Sequence, residues 1–70
     1  SPTNRWFREE MNVLREILLN KNSDFAKIFN QNYVAEILRQ HGNGYNKEKQ
    51  IFLLLSIYYW FESNEILRKK

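Results

Sequence analysis

Hydrophobic side chains in the first third of the chain recur at steps of three and four residues, the spacing of one helical face. We therefore predict an amphipathic helix over residues 4–20, with Pro2 at its start and Thr3 or Asn4 as its cap. A cluster of polar residues with turn chemistry, residues 20–23, ends it. The apolar stripe contains Phe7, Met11, Leu14 and Leu18, with Trp6, Val13 and Ile17 beside it.

Two shorter helices are predicted next, each following a residue that can cap free backbone amides. Ser23 or Asp24 caps a short helical turn over residues 24–29, and Asn30 caps a helix over residues 31–41. Two caps so close together favour a short helix, a bend and a second helix over one long rod. The apolar positions of this region are Phe25, Ile28 and Phe29, then Tyr33, Val34, Ile37 and Leu38, with His41 in the same register.

The last predicted helix covers residues 46–66 and contains a run that is apolar on every face. Gly42 stands where a left-handed residue would end the preceding helix, and Asn46 caps the new one. Ten of the eleven residues from Ile51 to Phe61 are apolar or aromatic. A bilayer needs about 20 such residues, so we expect no membrane span. A helix that is apolar all round belongs inside a larger protein.

The composition agrees with one small all-α unit that leaves apolar surface to be covered. We predict a single segment, residues 1–70, forming a bundle of three main helices plus a short extra turn. The net charge is +3, and because its Lys and Arg alternate with Asp and Glu, the pattern indicates solvated helix faces and argues against nucleic-acid binding. The chain has no cysteine, which fits an intracellular protein, and we expect it to be cytoplasmic.

No residue pattern in the chain predicts catalysis, cofactor binding or metal binding. His41 has no second His and no Cys to act with, so we interpret it as a helix C-terminal histidine favoured by the helix dipole. The Gly42-Asn43-Gly44 turn lacks the preceding strand of a phosphate-binding loop. Glu9 and Glu10 are adjacent on a helix and point about 100° apart, so they do not form a catalytic pair.

Four stretches of the chain match four motifs of one protein family, in the same order. The motifs are "P…W(F/L)R", "FDPxxVxxLLxEH", "EH…G" and "LWALL…W". The matching residues are Pro2 with Trp6-Phe7-Arg8-Glu9, Phe29-Asn30 with Val34 and Ile37-Leu38, His41 with Gly44, and Ile51-Phe52-Leu53-Leu54-Leu55 with Trp60. In these residues the chain resembles the C-terminal part of the synthetase domain of glutamine-hydrolysing asparagine synthases.

Three positions depart from the family's pattern. Phe52 stands where the family usually has Trp, Tyr58 where an acidic residue is common, and Gln31 where Pro often follows the cap. The resemblance therefore suggests a divergent member. It leaves open whether the parent enzyme makes asparagine or another amide.

The resemblance implies a structural role at the end of a larger α/β domain of the ATP-pyrophosphatase type. The parent would be an ATP-dependent amidotransferase that uses ATP and Mg²⁺, and this segment alone would not be active. The family's ATP-binding SGGxDS loop and its terminal Cys nucleophile are absent from these 70 residues. The residues expected to pack against the rest of the domain are Trp6, Phe7, Leu14, Ile17, Phe29, Phe52 and Trp60.

A second interpretation remains open from the residues themselves. The chain would then be a free-standing helical protein-interaction module that binds a partner through its aromatic face. In either case the expected partners are proteins, namely the remainder of a synthetase domain or further copies of the chain, and not nucleic acids or membranes.

Overall fold

The computed structural model describes the backbone of residues 1–68 and the side chains of residues 1–64. Over that range the chain forms helices and no strand, which confirms the all-α prediction. The ends of the helices lie within two residues of the predicted ends, except that the first predicted helix is divided in two. The helices are α1 (Pro2–Glu9), α2 (Met11–Leu18), α3 (Asp24–Ile28), α4 (Gln31–Gly42) and α5 (Glu48–Arg68).

The helix predicted over residues 4–20 is in fact two helices that meet at Glu10. The backbone of Glu10 has φ −104° and ψ 32°, outside the helical range, although its N–H still donates to the Trp6 carbonyl at 2.9 Å. On either side of the break, α1 and α2 each contact both α4 and α5. Glu10 is neither Gly nor Pro, so no local residue signal marks this break.

Side-chain caps fix the beginnings of three helices. The cap of α1 is Ser1 and not Thr3 or Asn4, because the Ser1 hydroxyl accepts the Asn4 N–H at 3.3 Å. Ser23 caps α3 by accepting the Ala26 N–H at 3.1 Å. A third cap, the side chain of Asn30, starts α4 in the same way through the Tyr33 N–H at 3.0 Å.

Gly44, and not Gly42, is the left-handed residue at the end of α4. Its φ is 102°, whereas Gly42 is still helical. The Gly44 N–H donates to the His41 carbonyl at 3.1 Å, and the Tyr45 N–H donates to the Gln40 carbonyl at 3.0 Å. This pair of bonds is the Schellman motif, which satisfies carbonyls that a helix end would otherwise leave free.

One apolar core joins all five helices, and α5 lies at its centre. α5 contacts each of α1, α2, α3 and α4. Of its eleven-residue apolar run, only Ile51 and Leu54 are fully buried, so one face of α5 completes the core and the other does not. The buried apolar residues are Phe7, Leu14, Leu18, Phe25, Val34, Ile37, Leu38, Ile51 and Leu54.

Candidate functional site

An open apolar groove runs between α1, α2 and α5 and has a volume of about 650 Å³. It exists because α5 carries more apolar side chains than the core can cover. The groove's walls are Thr3, Trp6 and Phe7 of α1, Ile17 of α2, and Phe52, Leu55, Ser56, Tyr58 and Tyr59 of α5.

Aromatic rings give this groove its shape. The rings of Trp6 and Phe7 lie 5.6 Å apart at an angle of 59°, with Phe7 buried in the core and Trp6 51% exposed. Across the groove Phe52 is 62% exposed. Large rings that are held in place by a rigid core and still face outward are typical anchors of protein–protein contacts.

The seven residues predicted to pack fall into three groups. Phe7 and Leu14 lie in the core, and Ile17 and Phe29 are half-buried against it. Phe29 stacks on Phe25, with ring centroids 4.8 Å apart. The other three residues remain more than half exposed, and four of the seven line the groove. The exposed residues are Trp6, Phe52 and Trp60, and the groove residues are Trp6, Phe7, Ile17 and Phe52.

The sequence did not single out the α5 residues that complete the groove, chiefly Leu55, Ser56 and Tyr59. When a helix is apolar on every face, periodicity cannot show which face is covered. The one signal was the position of Ser56, the only polar residue in the run from Ile51 to Phe61. Ser56 is exposed and marks the outward face.

His41 lies away from the groove and is a buried structural residue. Its side chain is completely inaccessible to solvent. The ring nitrogen Nδ1 accepts the Lys47 N–H at 3.0 Å, and Nε2 lies 2.9 Å from the Asn4 carbonyl oxygen. A backbone N–H can only donate and a carbonyl can only accept, so the ring is neutral and carries its proton on Nε2.

A neutral His41 changes the interpretation made from the sequence, in which the ring was stabilised by the helix dipole. The cation at the end of α4 is instead Arg8, whose Nε donates to the His41 carbonyl at 3.0 Å. A positive group near the last carbonyls of a helix is favourable. The register of His41 with Val34, Ile37 and Leu38 was the sequence signal for its burial.

The one strongly perturbed acid among the described residues lies on the surface of α4. Two bonds from Arg39 to the Glu36 carboxylate, at 2.8 and 2.6 Å, and one from Gln40 at 2.8 Å lower the pKa of Glu36 to about 2. The same contact raises the pKa of Arg39. Residues three and four apart on a helix face each other, so this cluster is a local surface contact and not a reactive site.

The donor set of the groove does not fit ATP or Mg²⁺. Its walls carry four hydroxyl groups and the indole N–H of Trp6 as their polar side-chain atoms, and no Lys, Arg, Asp or Glu. Phosphates require cations or clustered backbone N–H groups, and Mg²⁺ requires carboxylates. Among the described residues, no group of three or more His, Asp or Glu side chains is placed so that it could hold a metal ion.

Comparison with known proteins gives no relative for this chain: no protein family, no curated protein and no solved structure matches it. Within the described part of the chain, none of the helices has the length and apolar character that crossing a membrane requires.

Proposed function

We propose that this chain is a non-catalytic packing segment that covers, and is covered by, another part of a larger protein. The parent protein in this proposal is an asparagine synthase-like, ATP-dependent amidotransferase, and the segment is the C-terminal helical part of its synthetase domain. Its role is to close that domain by burying the groove between α1, α2 and α5.

The observation that carries this proposal is the exposed aromatic wall of the groove. Trp6 and Phe52 expose more than half of their surfaces, yet each belongs to a helix that the core holds in place. Burying apolar surface is worth about 25 cal/mol per Å², so rings left in water are a reason to bind another polypeptide. The resemblance described above supplies the identity of that polypeptide.

A second candidate is a free-standing interaction module, and the completeness of the core favours it. Each buried side-chain nitrogen or oxygen in the described region has a hydrogen-bond partner. A domain of this kind can hold its own fold and bind a partner through the same groove. The two candidates differ in what precedes Ser1 in the gene.

Reading the gene upstream of Ser1 separates the two candidates. An in-frame SGGxDS loop in a preceding α/β domain would support the ligase segment. A start codon within a few residues of Ser1 would contradict it and support the module.

Where an upstream domain is encoded, mixing experiments test the groove itself. That domain, expressed separately, should bind residues 1–70 in a calorimeter. The substitution Trp6→Ala should weaken binding at least tenfold, because an anchor ring that fills a partner's pocket typically contributes more than 1.4 kcal/mol. Val13→Ala is the control, since Val13 is also apolar and exposed on α2 but does not line the groove. Equal losses from both variants would contradict the groove as the covered surface.

A further inference from the structure

The outward side of α5 forms an apolar surface that overlaps one wall of the groove. Phe52, Leu53, Tyr59 and Trp60 each expose more than half of their surfaces on this side. Ser56 lies at its centre and is also exposed. From Gln50 to Phe61 the helix carries no charge. We call these five residues, Phe52, Leu53, Ser56, Tyr59 and Trp60, the outer face of α5.

The outer face is symmetric about Ser56. Phe52 and Leu53 precede Ser56 by four and three residues, and Tyr59 and Trp60 follow it by three and four. With about 100° of rotation per residue, all four side chains point within about 60° of Ser56. A twofold axis through Ser56 would therefore bring Phe52 of one copy to Trp60 of an antiparallel second copy. The same axis pairs Leu53 with Tyr59.

We propose that the outer face of α5 binds a second copy of the chain in an antiparallel, twofold-symmetric pair centred on Ser56. A self-complementary patch is what a twofold interface requires. The small Ser56 side chain lets the two helices approach closely at the crossing point. Its hydroxyl already donates to the Phe52 carbonyl at 2.9 Å, so it can be buried without losing its hydrogen bond.

The helix macrodipoles favour the antiparallel direction. An antiparallel pair sets the positive N-terminal end of α5 in one copy beside the negative C-terminal end of α5 in the other, whereas a parallel pair would align the two dipoles.

The exposed area is sufficient for a weak, specific pair. Aromatic side chains bury about 150–250 Å² each, and the large residues of the outer face expose 59–73% of their surfaces. This amounts to roughly 600 Å² per copy, against about 800 Å² per partner in a standard interface. An interface of this size lies at the small end of the range for specific pairs, so we expect a weak pair that dissociates on dilution.

This inference concerns the 70-residue chain by itself and does not rest on the proposed ligase. The outer face and the groove share Phe52, Ser56 and Tyr59. A domain that covers the groove would therefore compete with the second copy, and self-pairing would be seen only when the groove is free.

Sedimentation equilibrium of residues 1–70 tests the pairing. The expected result is a mass that rises from monomer to dimer with concentration. Ser56→Arg should leave a monomer with an unchanged helical circular-dichroism spectrum, because two arginines would meet at the twofold axis. Asn12→Arg adds the same charge at an exposed position of α2, away from the outer face, and this variant should still dimerise. A monomer at all concentrations, or equal dimerisation by both variants, would overturn the proposal.

Spin labels test the direction of the pair. The chain contains no cysteine, so Lys49→Cys carries a single label per copy. In an antiparallel pair centred on Ser56, the two labelled positions are 14 residues apart along the axis, or roughly 21 Å at 1.5 Å per residue. In a parallel pair they would be about 10 Å apart, the distance between the helices. The shorter distance would overturn the antiparallel arrangement.

Discussion

The imidazole of His41 lies 2.9 Å from the carbonyl oxygen of Asn4, which joins the last turn of α4 to the first turn of α1. The opposite side of the ring accepts the Lys47 N–H, just before α5 begins. One buried side chain therefore connects three helices. Its edge also meets the ring of Phe7, with ring centroids 6.3 Å apart.

Replacing His41 with alanine should destabilise the chain by about 3 kcal/mol. The substitution leaves the Lys47 N–H without its acceptor and opens a cavity in the core. Urea unfolding measures the change. Lys47→Ala is the matched control, because it keeps the backbone N–H that His41 accepts, and it should cost less than about 0.5 kcal/mol. A loss below about 1 kcal/mol for His41→Ala would contradict the structural role of the ring.

The tautomer of His41 gives an independent check. Long-range ¹H–¹⁵N spectra should show Nε2 as the protonated nitrogen and Nδ1 as the unprotonated one. The opposite assignment, or a ring that exchanges between tautomers, would mean that the Lys47 N–H does not donate to Nδ1. His41 is the only histidine in the chain, so the signals need no sequence assignment.

Two adjacent leucines of α5 should respond very differently to truncation. Leu54 is 3% exposed and Leu53 is 60% exposed. Leu54→Ala should cost about 2–5 kcal/mol, the range for buried leucines, whereas Leu53→Ala should cost less than about 0.5 kcal/mol in dilute, monomeric protein. Both substitutions change helix propensity equally. Similar losses in denaturant unfolding would mean that the other face of α5 is covered.

Replacing the two glycines at the end of α4 with alanine should change the stability of the chain in opposite directions. Gly44→Ala should destabilise by about 1–2 kcal/mol, because φ 102° is strained for a residue with a Cβ. Gly42→Ala should stabilise by up to about 1 kcal/mol, because Gly42 is helical and a Cβ there would lie 3.7 Å from the Met11 Cε. Thermal melting compares them. A stabilised Gly44→Ala variant would contradict the Schellman motif.

The Glu36 carboxylate should titrate near pH 2, well below its ordinary value of 4.5. Its folded pKa is depressed, so the stability it contributes is fully present above about pH 4.5 and is lost as the pH falls through about 2. NMR titration of the side-chain carbon measures this directly. In Arg39→Gln the midpoint should move back towards 4.5, since Arg39 is the largest cause of the shift. An unchanged midpoint would mean that the contact between Arg39 and the Glu36 carboxylate does not form in solution.

Local signals predicted the later helices well. Ser23 and Asn30 each cap a helix through a hydrogen bond that their side-chain chemistry allows. Those bonds need nothing from the rest of the chain, so the sequence is sufficient to place them. The helical spacing of Phe7 and Leu14 was likewise enough to put them on one apolar face, and both are buried.

The features that the sequence did not predict are those that depend on contacts between distant parts of the chain. The break at Glu10 separates two helices that each pack on α4 and α5, and no Gly or Pro at that position marks it in the sequence. The buried role of His41 depends on Asn4 and Lys47, of which Asn4 is 37 residues away in sequence. Which side of α5 faces the groove was likewise beyond the sequence, because every side of that helix is apolar until a core covers one of them.

The central position of α5 has a consequence for the way the chain is made. Synthesis proceeds from the N-terminus, so α1 to α4 leave the ribosome before the helix that contacts all of them. Until Ile51 and Leu54 emerge, the apolar faces of the first four helices have no common neighbour. The core therefore cannot close until α5 has been translated, and the apolar faces of α1 to α4 are open to aggregation during that interval.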